Sequence, residues 1–299
     1  MSDYTKLEKF FLNSITTNKD NMTIGTEVET QFVQKDEQPA TLKQTQETLK
    51  ELVDDGWFAI ETKGDLVTEV VNDQGIRIFY ELGRHNLEVA TQPQMNGNIV
   101  QHVRSALNEL YLCAEKADIY PWYKPILDSA EDVLVVPDER DQTWIGLDGR
   151  RALNMLSYIS SVQFTFSVSL GNAIKVVNRL NDSRKKFIDD FPQNEVWHNY
   201  IRESHANYDT LRYGGPESFN DLNDYCKMLA SHDVVEDSSL VPFDMAKAID
   251  IPLFLRSIWW HFRVKKYDGI ICIEVRPLSR HADDEIQKQL EMVLDIAFC

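Results

Sequence analysis

Basic residues are in short supply in this 299-residue sequence: 31 lysines and arginines stand against 48 aspartates and glutamates, a net charge of −17. Nucleic acid and anionic membranes both recruit basic surfaces, so neither is expected as a partner. An anionic small-molecule substrate stays open, because a local arginine cluster can oppose the overall field. No run of eighteen apolar residues occurs, and no membrane-spanning helix is expected. The opening stretch, MSDYTKLEKFFLNSITTNKDN, is charged and amphipathic without a secretory apolar core, so the expected location is the cytoplasm. The four cysteines (Cys113, Cys226, Cys272, Cys299) are scattered and lack C-x-x-C spacing, which disfavours a disulfide framework or a zinc site. Glycine-rich phosphate loops are missing too: neither G-x-x-x-x-G-K-[ST] nor G-x-G-x-x-G occurs.

What is present is ordinary globular composition, 43% hydrophobic and 26% charged. Strand-like alternation marks residues 22–33, short stretches from 58 to 72, a hairpin over 76–93 turning at 83–86, and Ser160–Leu170. Helical patterning marks about 3–18, 41–57, 96–117 and 149–158, then about 171–190, 193–206, 217–230 and 243–262. A strand over 269–278 and a helix over 283–298 close the chain, and the stretch 119–148 reads as a loop rich in proline and aspartate. The pattern is α+β: a largely antiparallel sheet built early, helices inserted late, and one strand returning near the end. No linker interrupts it, and residues 1–299 are read as one domain.

The polar positions of the strands are unusual. GTEVET puts Glu27 and Glu29 on one strand face, the hairpin carries Glu81 and Glu88, and VQFTFSV puts Gln163, Thr165 and Ser167 on one side. The late apolar strand IICIEVRPL places Glu274 and Arg276 side by side. Each strand alone is explained by a wet sheet face. Together they would concentrate about five glutamates on one face, where like charges cannot all ionise without a counter-cation. Without a His/Cys cluster, the counter-ion suited to carboxylate oxygens is a hard divalent ion such as Mg²⁺. An arginine beside such a site points to phosphoryl transfer from a magnesium nucleotide.

Four segments in order, GTEVET, ELGRHNLEVATQP, GLDGRRALNMLSYISSVQFTF and IWWHFRVKKYDGIICIEVRPL, make the sequence resemble the glutamate–cysteine ligase and carboxylate–amine ligase family. The matches are Gly25, Glu27 and Glu29; Glu81, Glu88, Thr91 and Pro93; Ser161, Val162 and Gln163; and Trp260, Arg263, Glu274, Val275 and Arg276. They cover about a quarter of the chain. The resemblance implies a glutamine-synthetase-like antiparallel sheet curled into a partial barrel and flanked by helices. It implies ATP-dependent amide formation between a carboxylate, the γ-carboxylate of glutamate being the expected one, and an amine, through an acyl phosphate. It implies ATP and Mg²⁺ as cofactors, with Glu27, Glu29, Glu81, Glu88 and Glu274 on the metal. Gln163, Thr165 and Arg84 would then face the nucleotide. Arg263, Arg276 and Arg212, the last from NYDTLRYGG, would hold phosphate or a substrate carboxylate. Amino acid and amine substrates are the implied partners, and a homodimer is compatible with the reading.

Two departures shape the expectation. Many members carry Asp shortly after the Glu-Val-Arg strand, where Leu278 and Ser279 stand here, and the chain is short for a glutamate–cysteine ligase. Both favour an amine other than cysteine. The alternative is a catalytically degenerate member that binds nucleotide or amino acid in a regulatory role. His85 is expected to be a solvated or turn-capping residue, Trp259 and Trp260 to be packing residues, and His198–Asp209 to form a polar lid as readily as an ordinary loop.

Overall fold

The computed structural model describes residues 4–16, 22–95, 98–134, 139–236 and 238–299, and of 139–141 the backbone alone. The expected ends of the first helix (3, 17–18), the start of the third (96–97) and part of the 119–148 loop (135–138) lie outside the described residues.

The strands are β1 Thr23–Val33, β2 Phe58–Lys63, β3 Leu66–Val71, β4 Arg77–Tyr80, β5 Asn86–Ala90, β6 Gln94–Met95 and β7 Tyr120–Trp122. They continue with β8 Ser161–Ser167, β9 Tyr213–Gly214, β10 Val234–Glu236, β11 Ser239–Val241, β12 Trp259–Trp260, β13 Phe262–Tyr267 and β14 Ile270–Ser279. The helices are α1 Thr5–Leu12, α2 Leu42–Asp54, α3 Ile99–Lys116, α4 Glu139–Asp148, α5 Arg150–Leu156 and α6 Leu170–Asp182. They end with α7 Arg184–Ile188, α8 Gln193–Glu203, α9 Leu222–Leu229, α10 Ile251–Arg256 and α11 Glu285–Phe298.

One large sheet organises the molecule, in the order β13-β14-β8-β1-β5-β4-β3-β2, with β6 and β7 added to β1. All of its pairings are antiparallel. Among the described residues the sheet stays open, because β13 and β2 are its unpaired edges. The α+β expectation therefore holds as a large antiparallel sheet that does not close into a barrel.

Period two explains how the sheet divides its faces. On β1, Ile24, Val28 and Phe32 are fully buried in the main apolar cluster, together with Leu49 and Leu52 of α2 and Val103, Leu107 and Leu110 of α3. Thr23, Gly25, Glu27 and Glu29 alternate onto the other face. At the far end, Val176, Val177 and Leu180 of α6 and Leu290 and Val293 of α11 belong to the same buried cluster as β14's Ile273 and Val275. Local signals set the boundaries. Thr41 and Gln44 form a reciprocal capping box at the start of α2. The β13–β14 hairpin turns through Asp268 (φ 48°) and Gly269 (φ 83°), the pair of left-handed residues a tight hairpin demands. A Cβ on Gly269 would also lie 2.4 Å from the Ser14 carbonyl oxygen.

Three expectations are corrected. The helix read over 243–262 is confined to Ile251–Arg256, and from Trp259 the chain is extended. The loop read over 119–148 contains β7 and α4. The expected lid at 198–209 begins inside α8, which runs to Glu203.

Candidate functional site

The polar face of the sheet forms the floor of a cleft of about 1040 Å³. Registered pairs lay out its carboxylates. Glu29 faces Glu88 across β1–β5, and the same row continues through Phe79 and Glu69 to Glu61. The next row joins Glu27 to Gln163, and a further one joins Thr165 to Glu274 and Glu274 to Arg263. Glu81, just past the end of β4, reaches the same cleft. Of the residues singled out from sequence, Glu27, Glu29, Glu81, Glu88, Glu274, Gln163, Thr165, Arg263 and Arg276 all line this one space.

Electrostatics separates the carboxylates into two kinds. Glu274 is 3% exposed and sits in a nest of cations. Arg263 Nε donates to its Oε2 at 2.5 Å and Arg263 NH2 pairs with the same oxygen. Lys265 Nζ lies 3.4 Å from Oε1, and Arg276 NH1 lies 3.6 Å from Oε2. Burial alone would favour protonating Glu274, but Arg263, Lys265 and Arg276 overcome it and hold its pKa well below the usual carboxylate range.

Glu27, Glu29 and Glu88 go the other way. Burial, then Glu81, pushes Glu29 up to about 8, although it accepts from the Ser161 amide at 2.8 Å and from Gln163 Nε2 at 3.0 Å. Burial and Glu274 raise Glu27. Burial together with Glu27, Glu81 and Glu29 raises Glu88 well above its ordinary value. Among the described residues none of the three makes an ion pair; Lys265 and then Arg276 pull Glu27 down and Arg276 pulls Glu29 down, without overcoming burial. For Arg276 itself, burial works against its charge, and Glu274, Glu29, Glu27 and Glu81 more than offset that.

Arg276 is aimed by a bulge. The β14–β8 register slips between Val275 and Leu278, where Pro277 has no amide hydrogen to give the ladder. The Arg276 amide donates instead to the His261 carbonyl at 3.0 Å, and its NH1 donates to Gln163 Oε1 at 3.0 Å. Gln163 thereby links Glu29 to Arg276. Arg263 is committed differently. Beyond Glu274, its NH1 donates to the Leu255 and Ile258 carbonyls at 2.9 and 2.6 Å, so it is a clamp on Glu274.

Two expected residues are elsewhere. Arg212 is 1% exposed, outside the cleft lining, and spends its guanidinium on Ser257 O, Ser257 Oγ and Asp233 O at 2.9–3.0 Å. Its guanidinium carbon lies 4.8 Å from the Tyr208 ring and 5.7 Å from that of Trp259, which it backs. Arg84 binds the Ala40 and Asp132 carbonyls and pairs with Glu131, stitching the turn to the 131–133 segment away from the cleft. His85, expected to be solvated or to cap the turn, is fully buried against Tyr158, and among the described residues its ring nitrogens make no hydrogen bond.

Sequence reasoning missed Lys265, Tyr267, Trp259 and His261, all of which line the cleft. With Arg263 they occupy positions 259, 261, 263, 265 and 267, a strict period of two along β12 and β13 that a helical reading conceals. Burial, with Arg263 and Arg276 adding to it and Glu274 opposing, lowers Lys265 to about 8.

The donors on the floor are carboxylate and amide oxygens, the chemistry that suits Mg²⁺. Among the described residues no three His, Cys, Asp or Glu side chains come close enough to hold an ion by themselves. That arrangement fits Mg²⁺ all the same, since it is usually held by one or two carboxylates and completed by waters and substrate phosphates.

Solved structures share the fold, two of them a ligase and a synthetase by name. The glutamate–cysteine ligase of Francisella tularensis, crystallised in complex with AMP, matches with a TM-score of 0.54 at 13% identity, over 93% of this chain and 67% of that one. The bifunctional glutathione synthetase of Pasteurella multocida matches with a TM-score of 0.53 at 11% identity, over 93% of this chain. The present chain spans 39% of that protein's length. At these identities the likeness is one of fold. No family model matches the sequence, and no curated protein does.

Proposed function

We propose that the chain is an ATP-dependent carboxylate–amine ligase, and that residues 1–299 act as one catalytic unit. The observation that carries the reading is the division of one cleft floor into uncompensated carboxyls (Glu27, Glu29, Glu88) and a cation nest around Glu274. A site that must take a polyphosphate, its metal ions and a second anion needs both halves. The shared fold with a glutamate–cysteine ligase and a bifunctional glutathione synthetase supports the same class.

On this reading Glu27, Glu29, Glu81 and Glu88 are the carboxylates that would hold Mg²⁺, one or two to an ion, and the metal would supply positive charge against the nucleotide phosphates. Glu274 is kept ionised and fixed in place by Arg263 and Lys265, so it can face a metal without drifting. Arg276, the cation between the two halves, binds the transferring phosphoryl group or the donor carboxylate. The donor carboxylate oxygen attacks the γ-phosphorus and ADP leaves. The neutral amine then attacks the acyl carbon, the C–O bond to phosphate breaks, and the departing phosphate takes the extra proton from nitrogen. Positioning and charge compensation supply most of the acceleration. Glutamate is the proposed donor, by likeness to the family.

Phosphate release from Mg-ATP across a panel of amino-acid and amine pairs tests the proposal, with Glu27→Gln as control. Turnover that needs both substrates and disappears in the variant supports the ligase. Tight Mg-ATP binding without turnover for any pair supports the binding role, and absence of nucleotide binding overturns both.

A further inference from the structure

One end of the cleft is not acidic at all. Trp144 of α4, Trp197 of α8, Tyr213 of β9 and Trp259 of β12 line it as a continuous aromatic wall. Trp197 stacks on Tyr213 with ring centroids 5.3 Å apart and an interplanar angle of 8°. Trp259 lies 5.5 Å from Trp197 and 6.0 Å from Trp144. The wall is held from behind: Asp148, fully buried, accepts from Tyr200 Oη at 2.7 Å and Ser204 Oγ at 2.8 Å, and Arg212 backs Trp259. Aromatic rings locked in this way form a preorganised apolar slot.

His261 closes the slot where it meets Arg276. Its ring packs edge-on to Tyr213 at 5.0 Å, and it is 5% exposed while lining the cleft. Both ring nitrogens are without a hydrogen-bond partner among the described residues. A buried imidazole left in that state is unfavourable, and a partner arriving from the cleft would relieve it. Burial, with Arg184 and Arg276 adding positive field, lowers its pKa to about 3, so the ring is a neutral donor and acceptor, its nitrogens just beneath the cleft surface.

We propose that this slot binds the side group of the amine co-substrate, and that the group is a planar ring bearing a neutral hydrogen-bonding substituent, which His261 receives. The assignment to the amine rests on the ligase reading. The acyl donor is an anion and belongs with Arg276 and the phosphates, whereas the nucleophilic amine must be uncharged. An apolar slot disfavours ammonium and so delivers the reactive form. The same arginines exclude a cationic tip at the His261 end. A small thiol amine leaves the wall largely uncovered.

Equilibrium binding, read by quenching of tryptophan fluorescence and by calorimetry without nucleotide, tests this. The probes are tyramine, phenethylamine, ethylamine and cysteine, with Mg-ATP titrated in parallel. Tyramine is expected to bind at least about tenfold more tightly than phenethylamine, since a site built around a hydroxyl rejects the analogue lacking it. Both should bind far more tightly than ethylamine or cysteine. His261→Phe should erase the tyramine preference while keeping phenethylamine affinity, His261→Gln should retain part of the preference, and Trp197→Leu should weaken both ligands. Equal affinity for cysteine and the aromatic amines overturns the proposal, as does an unchanged preference in His261→Phe or no saturable binding of either aromatic amine. Aromatic amine binding without Mg-ATP binding overturns the ligase reading instead and leaves the slot standing.

Discussion

Arg263 and Glu274 stand directly opposite each other on β13 and β14, and the arginine holds the carboxylate with two donors while its third nitrogen ties down the Leu255 and Ile258 carbonyls. Both residues are buried, 5% and 3% exposed. The pair is therefore at once part of the core and part of the cleft floor. Arg263→Met leaves a buried carboxylate short of its partner and should cost about 3–5 kcal/mol in urea unfolding. Adding Glu274→Leu should recover part of that loss. The remainder reflects the Ile258 carbonyl, which loses its Arg263 donor, at about 1–3 kcal/mol, while the Leu255 carbonyl still accepts from the Ile258 amide. Equal stability of Arg263→Met and the wild type contradicts the assignment.

The raised carboxyls make a pH prediction. Burial and Glu81 push the Glu29 carboxyl up to about 8, above its ordinary range, so the folded state holds a proton that the unfolded state has released. Stability from this group is present at low pH and is lost as pH rises toward 8. His85 and His261, each lowered to about 3 by burial, give the opposite slope, but only up to about the ordinary histidine value of 6.5. Toward pH 8 Lys265, lowered to about 8, begins to oppose the carboxyls, but from pH 6.5 to about 7 they govern. The unfolding free energy of the metal-free protein should fall there, by up to about 1.4 kcal/mol per pH unit for each proton held. Saturating Mg²⁺ should flatten the slope and raise the melting temperature more at pH 8 than at pH 6.5.

Glu88 lies among Glu27, Glu29 and Glu81, and its carboxyl is pushed strongly toward the protonated form. Glu88→Gln keeps the volume and removes the need for that proton. In EDTA at pH 7 the variant should be more stable than the wild type by on the order of 1 kcal/mol or more. Turnover should drop by about 10²-fold or more if Glu88 serves a metal that stabilises the transition state. A variant less stable in EDTA would show that Glu88 is held by contacts rather than tolerated for function.

Gly25 faces the cleft between the Thr91 and Thr165 carbonyls, where a Cβ would meet oxygen atoms at 3.8 and 3.9 Å, ordinary contact distances. Its backbone is not left-handed, so nothing in the fold demands glycine. Gly25→Ala should leave stability unchanged or raise it by about 0.5–1 kcal/mol. The added methyl should weaken Mg-ATP affinity, measured by titration, because it occupies cleft volume.

The cleft floor was legible in the sequence because strands announce themselves by period two. Glutamates at 27 and 29, and a glutamate with an arginine at 274 and 276, stand out against apolar neighbours. What spacing could not reveal was where long side chains go. Arg84 and Arg212 carry the same guanidinium as Arg276, yet main-chain carbonyls outside the cleft capture both. The stretch 257–262 read as the end of a helix because its aromatics occupy both faces. Trp260 and Phe262 are core residues while Trp259 and His261 look into the cleft, so a strand buried on both sides hid its alternation. His261 gave no signal of its own, since an orphaned ring nitrogen is visible only once its surroundings are folded.

The central claim is that a carboxylate is activated by phosphoryl transfer before an amine attacks it. The most direct measurement is label transfer: a donor carboxylate carrying ¹⁸O is turned over with Mg-ATP and a competent amine, and the released phosphate is analysed by mass spectrometry. The account predicts one ¹⁸O per phosphate, with the label absent when Glu27→Gln replaces the wild type. Phosphate released in amounts matching the amide product but free of carboxylate oxygen would contradict it.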